Sequence, residues 1–324
     1  MNRWKDYLNY NPIPFLKLTK NQALQYFINR DLMELDPGPI NKLWKLQDVN
    51  KIVKKQQENG SWRYPGGKKD IRSPENYDLL ETYRQLGFLI ELFGFDKSHL
   101  SIQKAANFVF SFQADEGDIR GIYGNQYSPN YTAAILELLI KSGYQEDIHI
   151  ERGLQWLLSI RQNDGGWAVP IRTQNAKYKE VVNSKNILHP NKTKPFSYMI
   201  TGVVLRAFAA HPNYRNNPSV ISAGKLLLSK FFERDNYPDR RDKSYWTKFT
   251  FPFWFTDLLS ALDSLYFIGF KSSHPKIVIA LDWFKDHQLE DGSWNLKLLK
   301  GAKIEDYKQW FNFLISRTLK RYLQ

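Results

Sequence analysis

The sequence contains no cysteine, and this absence excludes disulfide bonds, thiolate catalysis and cysteine-ligated zinc sites. Its six histidines have no metal-binding spacing, because none is followed by another at i+4 and none belongs to a His-Glu-x-x-His motif. We therefore expect neither a metal site nor a cofactor. No apolar run reaches the roughly 18 residues of a membrane span, and no apolar segment typical of a secretory signal follows the first charged residues. These absences favour a cytoplasmic protein.

Apolar residues and positive charge, by contrast, are plentiful. The 324 residues are 42% hydrophobic and 15% aromatic, which is enough to bury a large core and excludes global disorder. The formal net charge is +13, which indicates an affinity for acidic partners but does not indicate a fold.

Positive charge is concentrated between residues 42 and 72, a stretch that we call the basic face. It contains three acidic residues and nine basic ones: Lys42, Lys45, Lys51, Lys54, Lys55, Arg63, Lys68, Lys69 and Arg72. The basic face could bind phosphate, anionic lipid or another anionic partner. The alternative is an ordinary solvated charged surface. Nucleic acid is not an expected partner, because no nucleic-acid-binding module is recognisable.

A short motif recurs along the chain at intervals of roughly 50 residues. Residues 56–62 and 288–294 share the frame Gln-x-x-(Asp/Asn)-Gly-Ser-Trp, and residues 161–167 match it with the glutamine displaced by one position. Residues 113–119 match without the tryptophan, and a degenerate copy lies within 226–246. We interpret the motif as structural. Its glutamine amide can bond backbone groups at helix ends, and its tryptophan can pack on a neighbouring repeat.

Each motif stands between two helices of different character. An amphipathic helix precedes it, such as 148–160, and a helix that is apolar on almost all sides follows it, such as 131–140. The predicted pairs are 40–62 with 77–93, 100–113 with 130–142, 148–161 with 197–210, 219–232 with 250–268, and 275–288 with 303–321. Because helices that are apolar all round must be buried all round, the pairs are predicted to close into a double ring.

The predicted fold is therefore an all-α, single-domain α/α toroid over residues 39–324. Residues 1–38 do not fit the repeat, and within them 21–32 reads as a helix with one apolar face. Prolines and a glycine interrupt the chain at 36–39. We expect residues 1–38 to form an N-terminal helical cap.

The recurring frame, complete at residues 56–62 and 288–294, resembles the QW repeat of the squalene–hopene cyclases and their relatives. The same toroid occurs in protein prenyltransferase β subunits. The resemblance covers roughly residues 40–324 and implies an α/α toroid with a central cavity. It implies a terpenoid, isoprenoid-type or other hydrophobic, aromatic-stacking small molecule as ligand, but not by itself a reaction.

The chain departs from both families at their catalytic groups. Triterpene cyclases carry Asp-x-Asp-Asp-Thr-Ala at the start of an inner helix. The nearest match is 128–133, where Asn130 and Tyr131 replace the two aspartates. Asparagine cannot deliver a proton as a carboxylic acid does. No Asp-Asp-x-x-Asp motif for diphosphate and magnesium occurs, and the prenyltransferase zinc site lacks its cysteine.

The starts of the inner helices are expected to face the central cavity. They carry aromatic and polar side chains, which suit a planar, sugar-like or isoprenoid ligand. The predicted cavity residues are Tyr77, Asp78, Tyr127, Asn130, Tyr131, Tyr198, Trp246 and Trp254. The alternative is that the aromatic side chains fill the hole of a small ring.

Asp257 is the candidate proton donor. It follows Phe253-Trp-Phe-Thr, and a carboxyl group among aromatic rings is expected to have a raised pKa. The alternative is structural, because Asp257 could cap a helix or pair with a basic neighbour such as Lys248 or Arg206.

The segment 168–194 is long for a connector and carries six basic residues against one acid. Long connectors in compact domains are often lids or binding loops. We expect either a cover over the cavity that attracts an anion, or a solvated and mobile insertion.

Three functions follow as hypotheses. The first is a terpene-cyclase-like enzyme, an isomerase or transferase that acts on an isoprenoid. The second is a non-catalytic binding protein that kept the ring and lost the acids. The third is a carbohydrate-active enzyme, because α/α toroids also host lyases and hydrolases. A dry aromatic cavity would favour an isoprenoid, two facing carboxylates in an open cleft would favour a sugar, and a filled cavity would favour binding through the outer surface.

Overall fold

The computed structural model describes residues 3–66, 73–299 and 306–324. Its helices are α1 (Arg3–Tyr7), α2 (Ile13–Leu16), α3 (Gln22–Phe27), α4 (Gln47–Val53), α5 (Pro74–Phe93), α6 (Leu100–Phe110), α7 (Pro129–Leu139), α8 (Ile148–Ser159), α9 (Pro170–Thr173), α10 (Tyr178–Val181), α11 (Tyr198–Ala210), α12 (Pro218–Ser229), α13 (Leu258–Ile268), α14 (Pro275–Asp286) and α15 (Asp306–Leu323). Two short strands, β1 (Lys248–Phe249) and β2 (Lys297–Leu298), pair in parallel. No helix in these ranges is both long and apolar enough to cross a membrane.

The described helices follow one another in the order that the repeat predicts, with α4 before α5, α6 before α7, α8 before α11, α12 before α13, and α14 before α15. The second helix of each pair belongs to an inner ring, in which α5 contacts α7, α7 contacts α11, α11 contacts α13, and α13 contacts α15. The first helix of each pair lies outside this ring. The chain is an all-α toroid of five helical hairpins within the described ranges.

Burial in the two kinds of helix follows their apolar patterns. On the outer helix α8, Ile150 and Leu154 are buried, whereas Glu151 and Gln155 are exposed. On the inner helix α11, nearly every residue is buried. An amphipathic helix is expected to bury one stripe, as α8 does. A helix that is apolar on all sides is expected to bury nearly its whole surface, as α11 does.

The glutamine of the motif joins one repeat to the next. Gln56 Nε2 donates to the carbonyl of Gly60 in its own turn and to that of Ser101 at the start of α6, both at 2.9 Å. Gln113 likewise donates within its own turn and to the carbonyl of His149 at the start of α8, both at 2.8 Å. The amide thus bonds backbone groups at helix ends, as the motif predicts.

The tryptophan of the motif ties the turn back to the outer helix that precedes it. Trp62 Nε1 donates to the carbonyl of Ile52 at 2.8 Å, and Trp167 Nε1 donates to that of Leu157 at 2.7 Å. Trp294 makes the corresponding bond at 2.7 Å. All three indoles are buried, so these bonds form away from water.

A hydroxyl group of the inner helix holds the backbone of the same turn. Trp167 N donates to Thr201 Oγ1 of α11 at 2.9 Å, and Ile119 N donates to Thr132 Oγ1 of α7 at 3.1 Å. Thr132 belongs to residues 128–133, the nearest match in the sequence to the acid motif of the triterpene cyclases. The Thr132 hydroxyl accepts from the backbone of the motif turn and so joins the inner helix α7 to that turn.

The N-terminal segment closes the ring between the last and the first hairpin. Gln288 Nε2 donates to the carbonyl of Tyr10 at 2.7 Å, where earlier repeats reach the next outer helix. A Cβ on Gly292, whose φ is +83°, would lie 2.4 Å from the carbonyl oxygen of Asn11, so only glycine permits this approach. Phe27 packs on Trp310 of α15, and α3 contacts α5. The domain boundary after residue 38 stays a prediction.

Removing one indole donor tests the role of the motif. Trp167→Phe is expected to lower the free energy of unfolding by about 1–3 kcal/mol, because the buried carbonyl of Leu157 loses its donor. Urea denaturation measures the loss. Trp283→Phe is the control, since Trp283 is only partly buried and lies outside the motif. Equal losses in the two variants would contradict the structural role.

Candidate functional site

Two chambers lie inside the ring, towards the end where the inner helices begin. Chamber A has a volume of about 380 Å³ and is bounded by the first turns of α7 and α11. Chamber B has a volume of about 490 Å³ and is bounded by the middle of α5 and the first turn of α15. Both volumes fall in the range of small-molecule sites. The lumen is therefore not filled by its own side chains.

An aromatic partition separates the two chambers. Both are lined by Tyr83, Tyr131, Trp254 and Phe255. The ring centroid of Tyr83 lies 5.2 Å from that of Trp254 and 5.8 Å from that of Tyr131, each in edge-to-face geometry. A Cβ added to Gly87 of α5 would lie 2.5 Å from the Trp254 indole, so the absent side chain makes room for the partition.

The wall of chamber A is mainly apolar and aromatic. Met199 and Val203 of α11 contribute one side, and Tyr123 and Ile171 contribute another. Burial raises the pKa of the Tyr83 and Tyr123 phenols well above the usual range, so both remain neutral hydroxyl groups.

A few polar groups also reach chamber A. Asn130 Nδ2 donates weakly to Tyr123 Oη at 3.4 Å, while Asn130 Oδ1 is buried without a hydrogen-bond partner among the described residues. Arg172 forms a two-bond ion pair with Asp239, in which Nη2 donates to Oδ1 at 2.7 Å. A ligand with a hydroxyl donor would satisfy the amide oxygen of Asn130.

Arg240 stands at the mouth of chamber A in a strained backbone conformation. Its φ is +54°, which non-glycine residues rarely adopt. Its guanidinium carbon lies 3.4 Å from the centroid of the Phe255 ring, in cation–π contact. Strain of this kind concentrates at binding and catalytic sites.

The segment 168–194 forms part of the wall of chamber A and is anchored by hydrogen bonds. Ile171, Arg172 and Tyr178 from this segment line the chamber. The buried Gln126 holds the far end of the segment: Nε2 donates to the carbonyls of Val181 and Asn186 at 3.0 and 2.9 Å, and Oε1 accepts from the amide of residue 188 at 2.9 Å. Hydrogen bonds therefore hold this segment beside chamber A.

Three of the predicted cavity residues line chamber A, namely Asn130, Tyr131 and Trp254. Tyr77 and Asp78 line neither chamber. Tyr77 packs on Tyr64, with ring centroids 5.0 Å apart, and Asp78 Oδ1 accepts from the amide of Tyr64 at 2.9 Å. These two side chains thus hold the first motif turn against α5.

Tyr127, Tyr198 and Trp246 also line neither chamber. The Tyr127 hydroxyl donates to Glu116 outside the inner ring. The Tyr198 ring stacks on Trp246 at a centroid distance of 4.3 Å, and Trp246 Nε1 donates to the carbonyl of Glu233 at 3.0 Å. These three side chains therefore pack between inner and outer helices and not into either chamber.

Asp257 is the N-cap of α13. Its Oδ1 accepts from the amide of Ser260 at 2.8 Å, and the Ser260 hydroxyl accepts from the Asp257 amide at 3.0 Å, which completes a capping box. Burial raises the pKa of Asp257 to about 7, although hydrogen bonds from Ser260 and the charge of Arg206 act against this shift. Asp257 lines neither chamber. Its raised pKa therefore belongs to a helix cap, and capping was one of the structural alternatives to a role as proton donor.

Several lining residues were missed by sequence reasoning. Tyr83 lies in the middle of α5, Tyr123 lies in the loop between α6 and α7, and Arg240 lies in a polar loop. Of these three residues only Tyr123 had a signal in the sequence, namely its position between Gly121 and Gly124. On the basic face, Lys42, Lys45, Lys51, Lys54, Lys55 and Arg63 are exposed, while Lys68, Lys69 and Arg72 lie outside the described residues.

Three solved structures are similar to the chain over most of its length. They are a protein from Actinoplanes (13% identity, 88% of each chain, TM-score 0.39), the type II terpene cyclase MstE from Scytonema (11%, 87% of this chain and 96% of that chain, 0.35) and an α-amylase from Clostridium perfringens (15%, 93% and 85%, 0.42). At these identities and TM-scores, none of them assigns an activity to the chain.

A comparison with curated proteins found no match. By contrast, a family profile described as the squalene-hopene cyclase C-terminal domain matches residues 132–309. The match contains most of α7 and all of α11 and α13, which supply inner-ring walls. It covers more than half of the sequence, and the chain therefore belongs to the squalene-hopene cyclase C-terminal domain family.

Proposed function

We propose that the chain binds an isoprenoid-type or similar apolar small molecule in chamber A. The observation that carries this proposal is a cavity of about 380 Å³ with an aromatic and aliphatic wall. A few polar groups at its edge would orient a hydroxyl or similar end group. Apolar walls with few polar groups are typical of small-molecule sites.

The carboxylates support binding of an apolar ligand over sugar hydrolysis. Among the described residues, Asp239 alone brings a carboxylate to chamber A, and both of its oxygens accept from Arg172. Glu81 lines chamber B, on the other side of the partition. Glycosidases need two carboxyl groups that flank one bond, and the described residues place no such pair in either chamber.

Whether the ligand also reacts depends on a proton donor. Asn130 stands where the cyclases have an acid, and Asp257 is held in a capping box away from chamber A. We therefore propose binding as the primary function and a terpene-cyclase-like reaction as the second candidate. The terpene-cyclase candidate rests on the membership of the chain in the squalene-hopene cyclase C-terminal domain family.

Native mass spectrometry of protein purified from its own cells, followed by organic extraction, tests the proposal directly. We expect a bound isoprenoid or lipid. In a binding assay by calorimetry, farnesol is expected to bind and maltohexaose is not. Binding of the sugar without farnesol would overturn the proposal in favour of the carbohydrate alternative.

A variant that fills chamber A with a larger side chain tests whether the ligand binds there. Ala134 of α7 lines the chamber, and Ala134→Phe is expected to weaken farnesol binding by about tenfold or more, because the ring occupies the ligand's space. Ala176→Phe is the control, since Ala176 lies in the segment 168–194 but does not line the chamber. Unchanged affinity in a folded Ala134→Phe protein would place the ligand elsewhere.

Two further assignments remain proposals of the same kind. An anionic partner for the basic face is supported by the exposure of its described lysines. A cytoplasmic location is supported by the sequence alone.

A further inference from the structure

A small cavity of about 170 Å³ lies at the opposite end of the ring, where the inner helices finish. We call it the end cavity. Glu137 and Lys141 line it from α7 and the turn that follows, Arg206 from α11, and Asp263 from α13. Arg215, in the turn after α11, completes the charged lining. The end cavity is separate from chambers A and B and shares no residue with the proposed ligand site.

The acidic groups of the end cavity are already bound by cations. Glu137 accepts from Arg206 Nε at 2.8 Å and from Lys141 Nζ at 2.7 Å. Asp263 accepts from Arg321 of α15. The carboxylates of Glu137 and Asp263 are therefore both engaged, and neither pairs with a further cation that lines the end cavity.

Arg215 is that further cation. Its Nε is buried and has no hydrogen-bond partner, and no ion pair connects it to an acid in the described ranges. Its guanidinium carbon lies 5.5 Å from the centroid of the Phe267 ring, which also lines the end cavity. A buried N–H group without an acceptor is rare in folded proteins and commonly marks a missing water or ion.

We propose that the end cavity binds a small oxyanion, of the size of inorganic phosphate or sulfate, on Arg215. Three cations line the cavity, namely Lys141, Arg206 and Arg215, against two acids. A guanidinium group offers a planar fork of donors that matches the oxygens of such an ion. The ion would connect α7, α11 and α13.

The end cavity is large enough for such an ion. Its volume of about 170 Å³ is several times the roughly 30 Å³ that one water molecule accounts for in the liquid. A phosphoryl group carried on a larger molecule offers the same chemistry, and phenyl phosphate distinguishes it from the free ion.

The test is the thermal stability of the full chain in about 10 mM phosphate or sulfate, compared with sodium chloride at equal ionic strength. The wild-type protein is expected to melt at a higher temperature in the oxyanions. Arg215→Gln is expected to weaken the apparent affinity for phosphate at least about tenfold. Arg215→Lys keeps the charge and is expected to retain part of the response.

Lys225→Gln is the matched control, because Lys225 is an exposed cation on α12 and removing it changes the net charge equally. It is expected to respond to phosphate as the wild type does. An equal response of the wild type and Arg215→Gln would overturn the proposal, and so would a wild-type response no larger than that to chloride. A larger response to phenyl phosphate than to phosphate would overturn the assignment to a free ion.

Discussion

Arg206→Met is expected to lower the free energy of unfolding by about 3–5 kcal/mol. Arg206 and Glu137 form an ion pair between two inner helices, with side-chain exposures of only 4% and 5% and an Nε–Oε2 distance of 2.8 Å. Burial alone would raise the pKa of Glu137, but the charges of Arg206 and Lys141 outweigh it and hold that pKa below its usual value. Without Arg206, the buried carboxylate of Glu137 loses one of its two counterions and the more deeply buried of the two. Urea denaturation measures the effect.

The double variant Glu137→Gln with Arg206→Met separates the two parts of this loss. It removes both charges and leaves Lys141 with Glu91, to which Lys141 Nζ donates at 2.6 Å. Replacing a whole buried pair by uncharged groups is often close to neutral, so the double variant is expected to be more stable than Arg206→Met alone. A double variant less stable than Arg206→Met would contradict this account.

Asp257→Asn is expected to remove a pH dependence of stability. The pKa of Asp257 is about 7 in the folded protein and about 3.8 when unperturbed, because burial disfavours the charged form. The folded state therefore holds the proton more tightly, and the stabilisation is complete below about pH 4 and is lost as the pH rises through 7. Between pH 5 and pH 8 the wild type should lose about 2–3 kcal/mol relative to Asp257→Asn.

The comparison uses unfolding free energies of both proteins across that pH range. Asparagine keeps an acceptor for the Ser260 amide, so the cap itself is retained. Asp242→Asn is the control. Asp242 also caps a helical turn, but hydrogen bonding to Ser244 lowers its pKa, so its titration lies below the window. Parallel curves for the wild type and Asp257→Asn would show that the Asp257 carboxyl is ionised in both states.

The toroid could be predicted because the motif acts locally. A glutamine at the end of one helix, a glycine turn and a tryptophan make bonds within their own repeat or to the start of the next. Gln113 illustrates this with its bonds to Gly117 and His149. Repeated local patterns of this kind identify the helices and their pairing without knowledge of distant contacts.

The cavity lining could be predicted only in part, because the inner helices are apolar on nearly all sides. On α11, Met199 and Ile200 line chamber A while the adjacent Tyr198 packs outward on Trp246. A helix without a polar face carries no signal that tells which side faces the lumen. The partner of Arg172, Asp239, is 67 positions away in the chain, and no local pattern indicates it.

The closure by Gln288 and Tyr10 has a consequence for the order of assembly. Hydrogen bonds between consecutive repeats join residues that are close in the chain; Gln56 and Ser101, for example, are 45 positions apart. The hydrogen bond that closes the ring joins Gln288 and Tyr10, which are 278 positions apart. Contacts between distant positions cost more loop entropy and slow folding. Neighbouring hairpins can thus stack before the two ends meet, as an open horseshoe whose apolar inner helices and lumen still face water. The segment around Tyr10 must therefore wait for the repeat that contains Gln288 before the lumen is sealed.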